Sequence, residues 1–424
     1  MKILRISISN FWSNELHRNS ALLMASTVVM SLFGFFFWMI VSHNFSARDI
    51  GLGSSLISIT SLLISVAALG LPQALVRFLP TSDVRDDIMN GSFVLAGTAG
   101  IVVSVFFYAA SSIFFKELHE LINSPFSFAF FSLATVAGVW QQIIDSVFIA
   151  LKKTHWILLE NGISSFVKLA TCLLFLGMFG YGIFVSNFLG VFLAIISSML
   201  IIKFSLRLAL SFGARGHAAN FRKIWRYSAG SYSSNIISIF PAQILPAMIT
   251  NGLGPEIAGH FFLALTIVGL LAIIPQASNQ ILFSMASFNS RTMREDAIQS
   301  LKLQLSLLSV GILLLWTFIS HLSLFFGSYF STEIIVIAKI LSVGTIASVF
   351  LGPFITRLRI KGELIELNGL ALVGSLALII LSYAGMTFGI FGAATGYALG
   401  QFVTLFMYAS HFLLIGTKSH IAFQ

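Results

Sequence analysis

Short motifs in this chain recur at a constant distance of 207 residues. The recurring pairs are Asp49-Ile50 with Glu256-Ile257, Asn161-Gly162 with Asn368-Gly369, and Gly182-Ile183-Phe184 with Gly389-Ile390-Phe391. A fourth pair, Leu71-Pro72-Gln73-Ala74 with Ile274-Pro275-Gln276-Ala277, lies at a spacing of 203 residues, so one small gap falls between them. Each match is weak alone, but the shared register indicates that the chain of 424 residues is an internal duplication of two similar halves.

The composition indicates a membrane protein. Hydrophobic residues make up 57% of the chain, 43 residues are Phe, and only 9% are charged. A soluble protein of this size carries about a quarter charged residues. So much apolar surface requires lipid as the solvent, and within lipid a helix satisfies its own backbone groups. The net charge of +9 fits basic residues kept on the cytoplasmic side of a membrane, so no nucleic-acid partner is predicted.

The apolar runs predict twelve membrane spans, six in each repeat. At about 1.5 Å of rise per residue, about 20 residues cross the hydrocarbon core. The first run is interpreted as a permanent span rather than a removed signal peptide. The runs are 20–43, 51–71, 92–114, 126–150, 157–178, 182–205, 228–250, 257–283, 300–326, 333–355, 367–387 and 390–415.

The basic residues predict the orientation. With the N-terminus inside, 20 of the 24 Lys and Arg residues fall on the cytoplasmic side, so both termini are predicted to be cytoplasmic. Six spans is an even number, and the two repeats are therefore parallel, as in transporters whose halves move about a shared site. The predicted domains are a six-helix lobe over 1–206, a cytoplasmic linker over 207–227 and a second six-helix lobe over 228–424.

No motif of a nucleotide-binding, metal-binding or catalytic site stands out in the sequence. The chain has no Gly-x-x-x-x-Gly-Lys-Ser/Thr phosphate-binding loop. Its single cysteine, Cys172, allows no internal disulfide and no cysteine-based metal site. Neither a cofactor, a metal nor an enzymatic activity is predicted.

Ionisable residues inside the spans are the sharpest functional signal, because each costs a few kcal/mol unless it meets water or a partner. Lys168 lies near the middle of the fifth span and is predicted either to bind an anionic group or to pair with the fourth span. In that span Gln141 and Asp145 share a helix face, with Gln142 beside them. Asp145 is interpreted as a proton-coupling carboxylate, a substrate contact or a structural acceptor.

Two further groups of residues complete the predicted site. Arg77 follows the break at Pro72 and either binds anions at the inner mouth or only sets the topology. Prolines bend helices, so the prolines of spans seven and eight predict helices that line a cavity and flex, with static kinks as the alternative. These prolines are Pro241, Pro246 and Pro275, and polar Asn235 lies beside the first two.

Several of these segments together resemble the polysaccharide transporter family, which holds O-antigen and lipid-linked oligosaccharide flippases, of the multidrug/oligosaccharidyl-lipid/polysaccharide exporter superfamily. The segments are Leu71 to Phe78, Ala150 to Lys153, Glu160 to Gly162 with Lys168, Gly180 to Phe184, and Ile274 to Ala277 with Leu282-Phe283. They are mostly small and apolar residues, and they indicate the superfamily better than the substrate.

The resemblance implies two six-helix lobes of a MATE-like fold about a central cavity. It implies a monomeric flippase in the cell inner membrane that moves a polyprenyl-pyrophosphate-linked oligosaccharide to the outer leaflet by alternating access. Glycan polymerases and other export proteins are implied partners. Lys168 and Arg77 are the residues that match the family's cationic cavity. A multidrug or organic-cation antiporter coupled to protons or sodium is the main alternative, and a membrane glycan polymerase or ligase is a remote one.

Overall fold

A computed structural model describes residues 15–209, 218–288, 293–326 and 331–421 of the chain. Within these ranges all long elements are helices and no strand occurs. The α-helices are α1 (Glu15–Asn44), α2 (Ala47–Ala67), α3 (Leu71–Phe78), α4 (Arg85–Phe114), α5 (Lys116–Ile122), α6 (Pro125–Ala150), α7 (His155–Cys172), α8 (Phe179–Phe204), α9 (Ala218–Leu253), α10 (Pro255–Phe288), α11 (Met293–Phe318), α12 (Ser323–Phe326), α13 (Thr332–Lys361), α14 (Leu364–Gly385) and α15 (Gly389–Ile421).

Nine segments of the described chain are long and apolar enough to cross a membrane. Two of them, His155–Phe204 and Leu364–Leu413, each hold two helices joined by a short 3₁₀ turn, and Val29–Asn44 is a shorter apolar helix. The all-α membrane fold predicted from composition is therefore confirmed. The count of twelve spans and the cytoplasmic position of the termini stay predictions.

The helix starts follow the duplication read from the motifs. Helices α6 and α13 begin 207 residues apart, α2 and α10 begin 208 apart, and α8 and α15 begin 210 apart. Local signals explain such starts and ends. At α6, Pro125 occupies the first turn, where its missing N–H is not needed, and the Ser124 hydroxyl caps the helix by accepting a hydrogen bond from the Ser127 N–H. At α13, Gly362 with φ of 73° ends the helix in the left-handed conformation.

The described chain divides into two compact units. The first comprises the described residues up to 41 and between 59 and 232, and aromatic side chains join several of its helices. Helices α4 and α6 pack together, and the Trp140 indole N–H donates a hydrogen bond of 2.9 Å to the Phe93 carbonyl oxygen. Phe131 and Phe184 lie against each other with ring centroids 6.0 Å apart, which joins α6 to α8. Helix α7 packs mainly on α8.

The second unit comprises residues 42–58 and the described residues from 233 onward. Its strongest packing is between α14 and α15, and α13 packs on both α10 and α15. Small residues allow the close approach of α14 and α15, since a side chain at Gly385 or Gly392 would overlap the backbone of the other helix. A buried hydrogen bond between the hydroxyls of Ser55 and Thr250, 2.6 Å long, ties the start of α2 to α9 within the same unit.

The predicted linker over 207–227 is described only in part. Residues 210–217 lie outside the described residues, and the chain is already helical from Ala218, where α9 begins. The predicted lobe boundaries at 206/207 and 227/228 stay predictions.

Candidate functional site

Lys168 lies on α7, thirteen residues after the helix begins at His155, which corresponds to about 20 Å along the axis. Its side chain is half-buried. The ammonium nitrogen lies 5.4 Å from the centre of the buried Phe37 ring on α1. A cation over an aromatic face is stabilised by about 0.5–2 kcal/mol while it keeps its charge. Among the described residues no carboxylate oxygen lies within 4 Å of this nitrogen, so the charge is held in place but not neutralised.

Two carboxyl groups meet near the turn that joins α6 to α7. Asp145 lies five residues before the end of α6, and Glu160 lies five residues after the start of α7, which puts them at the same depth of the unit. Their side chains interact electrostatically, and Gln141 on α6 and Ser198 on α8 approach the Glu160 carboxyl group. Neither neighbour makes a hydrogen bond of normal geometry to it, since both Glu160 oxygens lack a partner among the described residues.

This arrangement bears on whether Lys168 pairs with the fourth predicted span. In the described part of the chain, Lys168 forms no ion pair with a residue of that span. Lys168 lies eight residues beyond Glu160 on α7, about 12 Å further from the turn, and Asp145 faces Glu160 instead. Gln141 belongs to the carboxyl group cluster as well. Gln142 is half-buried one residue further on, and its carbonyl oxygen accepts a hydrogen bond from the Ser146 hydroxyl.

Glu160 is absent from the predicted site, although it lies inside the predicted fifth span of 157–178. The signal that would select it is the one that selected Lys168, an ionisable residue within an apolar run. Because Glu160 lies near the start of that span, its sequence position suggests a charged residue at the membrane interface. Only the packing of α6 and α8 against α7 reveals that it is 1% exposed.

Arg77 and Pro72 both lie on α3, a short helix separate from α2. Pro72 occupies the first turn of α3, directly after Gly70 with φ of 75°, so it starts a helix rather than kinking one. Arg77 is exposed in the last turn, with its guanidinium carbon 5.6 Å from the centre of the Phe78 ring. The two predicted cationic site residues therefore differ in exposure, since Lys168 is half-buried and Arg77 is exposed.

We expect Arg77→Ala to weaken transport only modestly. An exposed charge is worth at most about 1 kcal/mol, which corresponds to a fall of about fivefold or less. The fall should shrink further as salt is raised, because exposed charges are screened. Transport by vesicles that contain the variant, measured at low and high salt, checks this. A complete loss at both salt concentrations would contradict the assignment of Arg77 to the surface.

The predicted flexing prolines lie inside continuous helices of the second unit. Pro241 and Pro246 are buried within α9, and Pro275 is buried within α10. Asn235 lies one and a half turns before Pro241 on α9 and is exposed. Both helices continue through these buried prolines, and proline within a helix removes a backbone hydrogen bond. Whether these kinks flex during a functional cycle remains a prediction.

Comparisons with known proteins bear on the family and the fold. A family model described as polysaccharide biosynthesis protein matches residues 16–274. No curated protein matches the chain. A solved inward-facing structure of a multidrug resistance MATE family transporter of the MOP superfamily is 14% identical, with a TM-score of 0.73, and the match covers 92% of this chain and 95% of the other.

Two further solved structures are similar. An outward-facing multidrug resistance MATE family transporter is 13% identical with a TM-score of 0.62, over 95% of this chain and 96% of the other. A MOP superfamily transporter from Pyrococcus furiosus Vc1 (DSM3638) is 13% identical with a TM-score of 0.64, over 93% of each chain, and its binding pocket is described as having reverse polarity.

At these identities the solved structures show the fold alone, and that fold is the MATE-like one that the family resemblance implies. The family match extends over more than half of the chain and agrees with the resemblance carried by the motifs around Leu71 and Glu160. The chain is a multi-pass membrane protein that belongs to the polysaccharide biosynthesis protein family.

Proposed function

We propose that this protein is a flippase. It moves a polyprenyl-pyrophosphate-linked oligosaccharide, such as a repeat unit of O-antigen, capsule or exopolysaccharide, from the inner to the outer leaflet by alternating access. The family assignment supports a role in polysaccharide biosynthesis, and the fold supports transport, since the similar solved structures are described as transporters.

The single observation that carries the proposal is Lys168. Its side chain is half-buried, and its ammonium group lies over Phe37 with no carboxylate within 4 Å among the described residues. A pyrophosphate cannot enter hydrocarbon alone, because each unpaired charge there is strongly disfavoured. A cation kept away from water interacts more strongly with such an anion than an exposed one, since the local dielectric constant is low. Lys168 is therefore suited to hold the phosphates while the sugars cross.

The other site residues have secondary roles in this proposal. Arg77 attracts the anionic lipid from the surface, and Gln142 on α6 offers its amide group to sugar hydroxyls. Asn235, on α9 of the second unit, is exposed and stays a separate predicted contact. Gln141 lies beside Glu160, so we assign it to the carboxyl group cluster rather than to the glycan. The solved transporter of the same superfamily with a binding pocket of reverse polarity supports the idea that this fold accepts cargoes of different charge.

The cellular setting follows from the cargo. A carrier lipid that is loaded in the cytoplasm must be flipped in the cell inner membrane, where glycan polymerases and other export proteins use it on the outer side. We propose that the protein acts there as a monomer.

Removing the gene and extracting the lipid-linked glycans of the host tests this function. We expect the polyprenyl-pyrophosphate oligosaccharide to accumulate on the cytoplasmic leaflet and the exported polymer to disappear, with both restored by the wild-type gene. Unchanged glycan lipids together with altered sensitivity to cationic drugs would contradict the proposal and indicate the organic-cation antiporter instead.

A further inference from the structure

Glu160 is the least exposed acidic side chain that the structure describes. It is 1% exposed, and neither of its carboxyl oxygens has a hydrogen-bond partner among the described residues. Asn161, the next residue, is satisfied, because its amide donates a hydrogen bond of 2.9 Å to the Ser26 hydroxyl on α1. Buried polar groups in proteins are almost always paired, so the unpaired Glu160 carboxyl group calls for a structural or functional explanation.

The groups around Glu160 come from two other helices. Asp145 on α6 interacts with it electrostatically, and one Asp145 oxygen is also buried without a partner. Ser198 on α8 is fully buried, approaches the Glu160 carboxyl group and has a hydroxyl without a partner in the described chain. The buried Ser198 hydroxyl, unpaired in the described chain and contributed by a third helix, is a second observation that points to a small ligand beside the Glu160 carboxyl group.

No cation of the described chain neutralises this cluster. The titratable group that faces Glu160 from the elements packed on α7 is Asp145, while the neighbouring residues of α8 and the described part of α1 contribute the hydroxyls of Ser198 and Ser26. Lys203, near the end of α8, is exposed and lies 5.5 Å from the Phe204 ring centre. Glu160 is buried and Asp145 is half-buried, so two negative charges there would repel each other and lose hydration, which disfavours keeping both carboxyl groups charged.

We propose that Glu160 and Asp145 form a proton-binding site in which one exchangeable proton is shared between the two carboxyl groups. The proton arrives from water as a hydronium ion, neutralises one carboxylate, and returns to water when the site opens, so no other bond forms or breaks. Ser198 and Gln141 supply the hydrogen bonds that orient the protonated pair. The described residues include no group of three or more His, Cys, Asp or Glu side chains that would hold a metal ion.

The site goes beyond the proposed function, because it concerns the energy source and not the cargo. A site that binds a proton more tightly in one conformation than in another shifts the balance between those conformations. Loading and unloading this pair therefore gives a proton gradient a way to drive the cycle, whichever molecule is carried.

Infrared difference spectroscopy of the full-length protein in lipid, without any glycan, tests the site. When the buffer is switched from alkaline to acidic, we expect the carbonyl band of a buried carboxylic acid to appear in the wild type. Glu160→Gln, which keeps the size of the side chain, should lose this band. Asp145→Asn should shift or weaken it, because the shared proton then has one carboxyl group. Glu120→Gln, at an exposed position on α5, is the matched control and should leave the band unchanged.

Two results would overturn the inference. One is a wild-type spectrum without such a band, or a band that survives in both Glu160→Gln and Asp145→Asn. The other is a carboxylate change produced by sodium at constant pH and abolished by the same substitutions, which would make the pair a metal-ion site. Since no glycan is present, either result leaves the flippase proposal standing, and a failure of the flippase proposal leaves this measurement interpretable.

Discussion

Replacing Lys168 with alanine should abolish glycan transport while the protein still inserts into the membrane. The substitution removes the half-buried cation that α7 holds over the Phe37 ring. An anionic phosphate would then meet an apolar surface, where an unpaired charge costs several kcal/mol. Each 1.4 kcal/mol lowers a rate by about tenfold, so transport should fall by about a hundredfold or more. Counting lipid-linked glycans on each leaflet of cells that carry only the variant measures this loss.

Two further variants show whether the charge or the packing of Lys168 matters. Lys168→Arg keeps the charge and the contact with the aromatic ring, so we expect part of the activity to remain, although a planar guanidinium binds phosphate with a different geometry. Lys339→Ala is the matched control, because Lys339 is also half-buried and lies 6.0 Å from the Trp316 ring centre in the second unit. It should transport normally.

Normal export by Lys168→Ala would remove Lys168 from the site. Equal losses in Lys168→Ala and Lys339→Ala would point to a general requirement for basic residues in these helices. Loss in Lys168→Ala with a reduced amount of folded protein would indicate a packing role, so the amount of monodisperse protein after extraction is measured for each variant.

The large features of this protein could be predicted from its sequence because they depend on composition and on length. A chain with 57% hydrophobic and 9% charged residues has no soluble alternative, and within lipid the backbone requires helices. The motif spacing of 207 residues predicted the duplication, and the helix starts repeat at nearly the same spacing. These arguments need no knowledge of which helix faces touch.

The prediction of a single helix for the second span was wrong at its end, because the local backbone conformation breaks the helix there. The apolar run predicts one helix over 51–71, whereas α2 ends at Ala67 and α3 begins at Leu71. Leu69 and Gly70 between them have positive φ values of 52° and 75°, which end a helix. Hydropathy carries no information on such a turn, and a leucine in the left-handed region is not expected from its residue type.

The carboxyl group cluster could not be predicted because it depends on three helices at once. Spacing along the chain selects Asp145 and Lys168 as intramembrane charges, but it does not show that Glu160 faces Asp145. Both carboxyl groups lie five residues from the ends of their helices at the α6–α7 turn. These equal distances place the two carboxyl groups opposite each other only if the turn lies at residues 151–154, and the structure is needed to locate that turn.

The substitution Gly51→Val should prevent the second unit from folding normally. Gly51 on α2 and Gly259 on α10 lie where the two helix backbones meet, and a Cβ atom at Gly51 would overlap the carbonyl oxygen of Pro255. The approach is reciprocal, since a Cβ atom at Gly259 would overlap the carbonyl oxygen of Ala47. A clash with backbone cannot be relieved by turning a side chain. Overpacking typically costs about 1–3 kcal/mol, and we expect the upper end of this range or more.

The amount of monodisperse protein and its apparent melting temperature in detergent measure this effect for Gly51→Val beside Gly34→Val. Gly34 on α1 is a fair control because a Cβ atom there meets no atom within 4 Å, so both variants share the cost of a β-branched residue in a helix but only one has the clash. A much lower melting temperature or no folded protein is expected for Gly51→Val alone. If both variants have the same melting temperature as the wild type, the close contact of α2 with α10 is not part of the folded protein. Residues 42–58 would then not belong to the second unit.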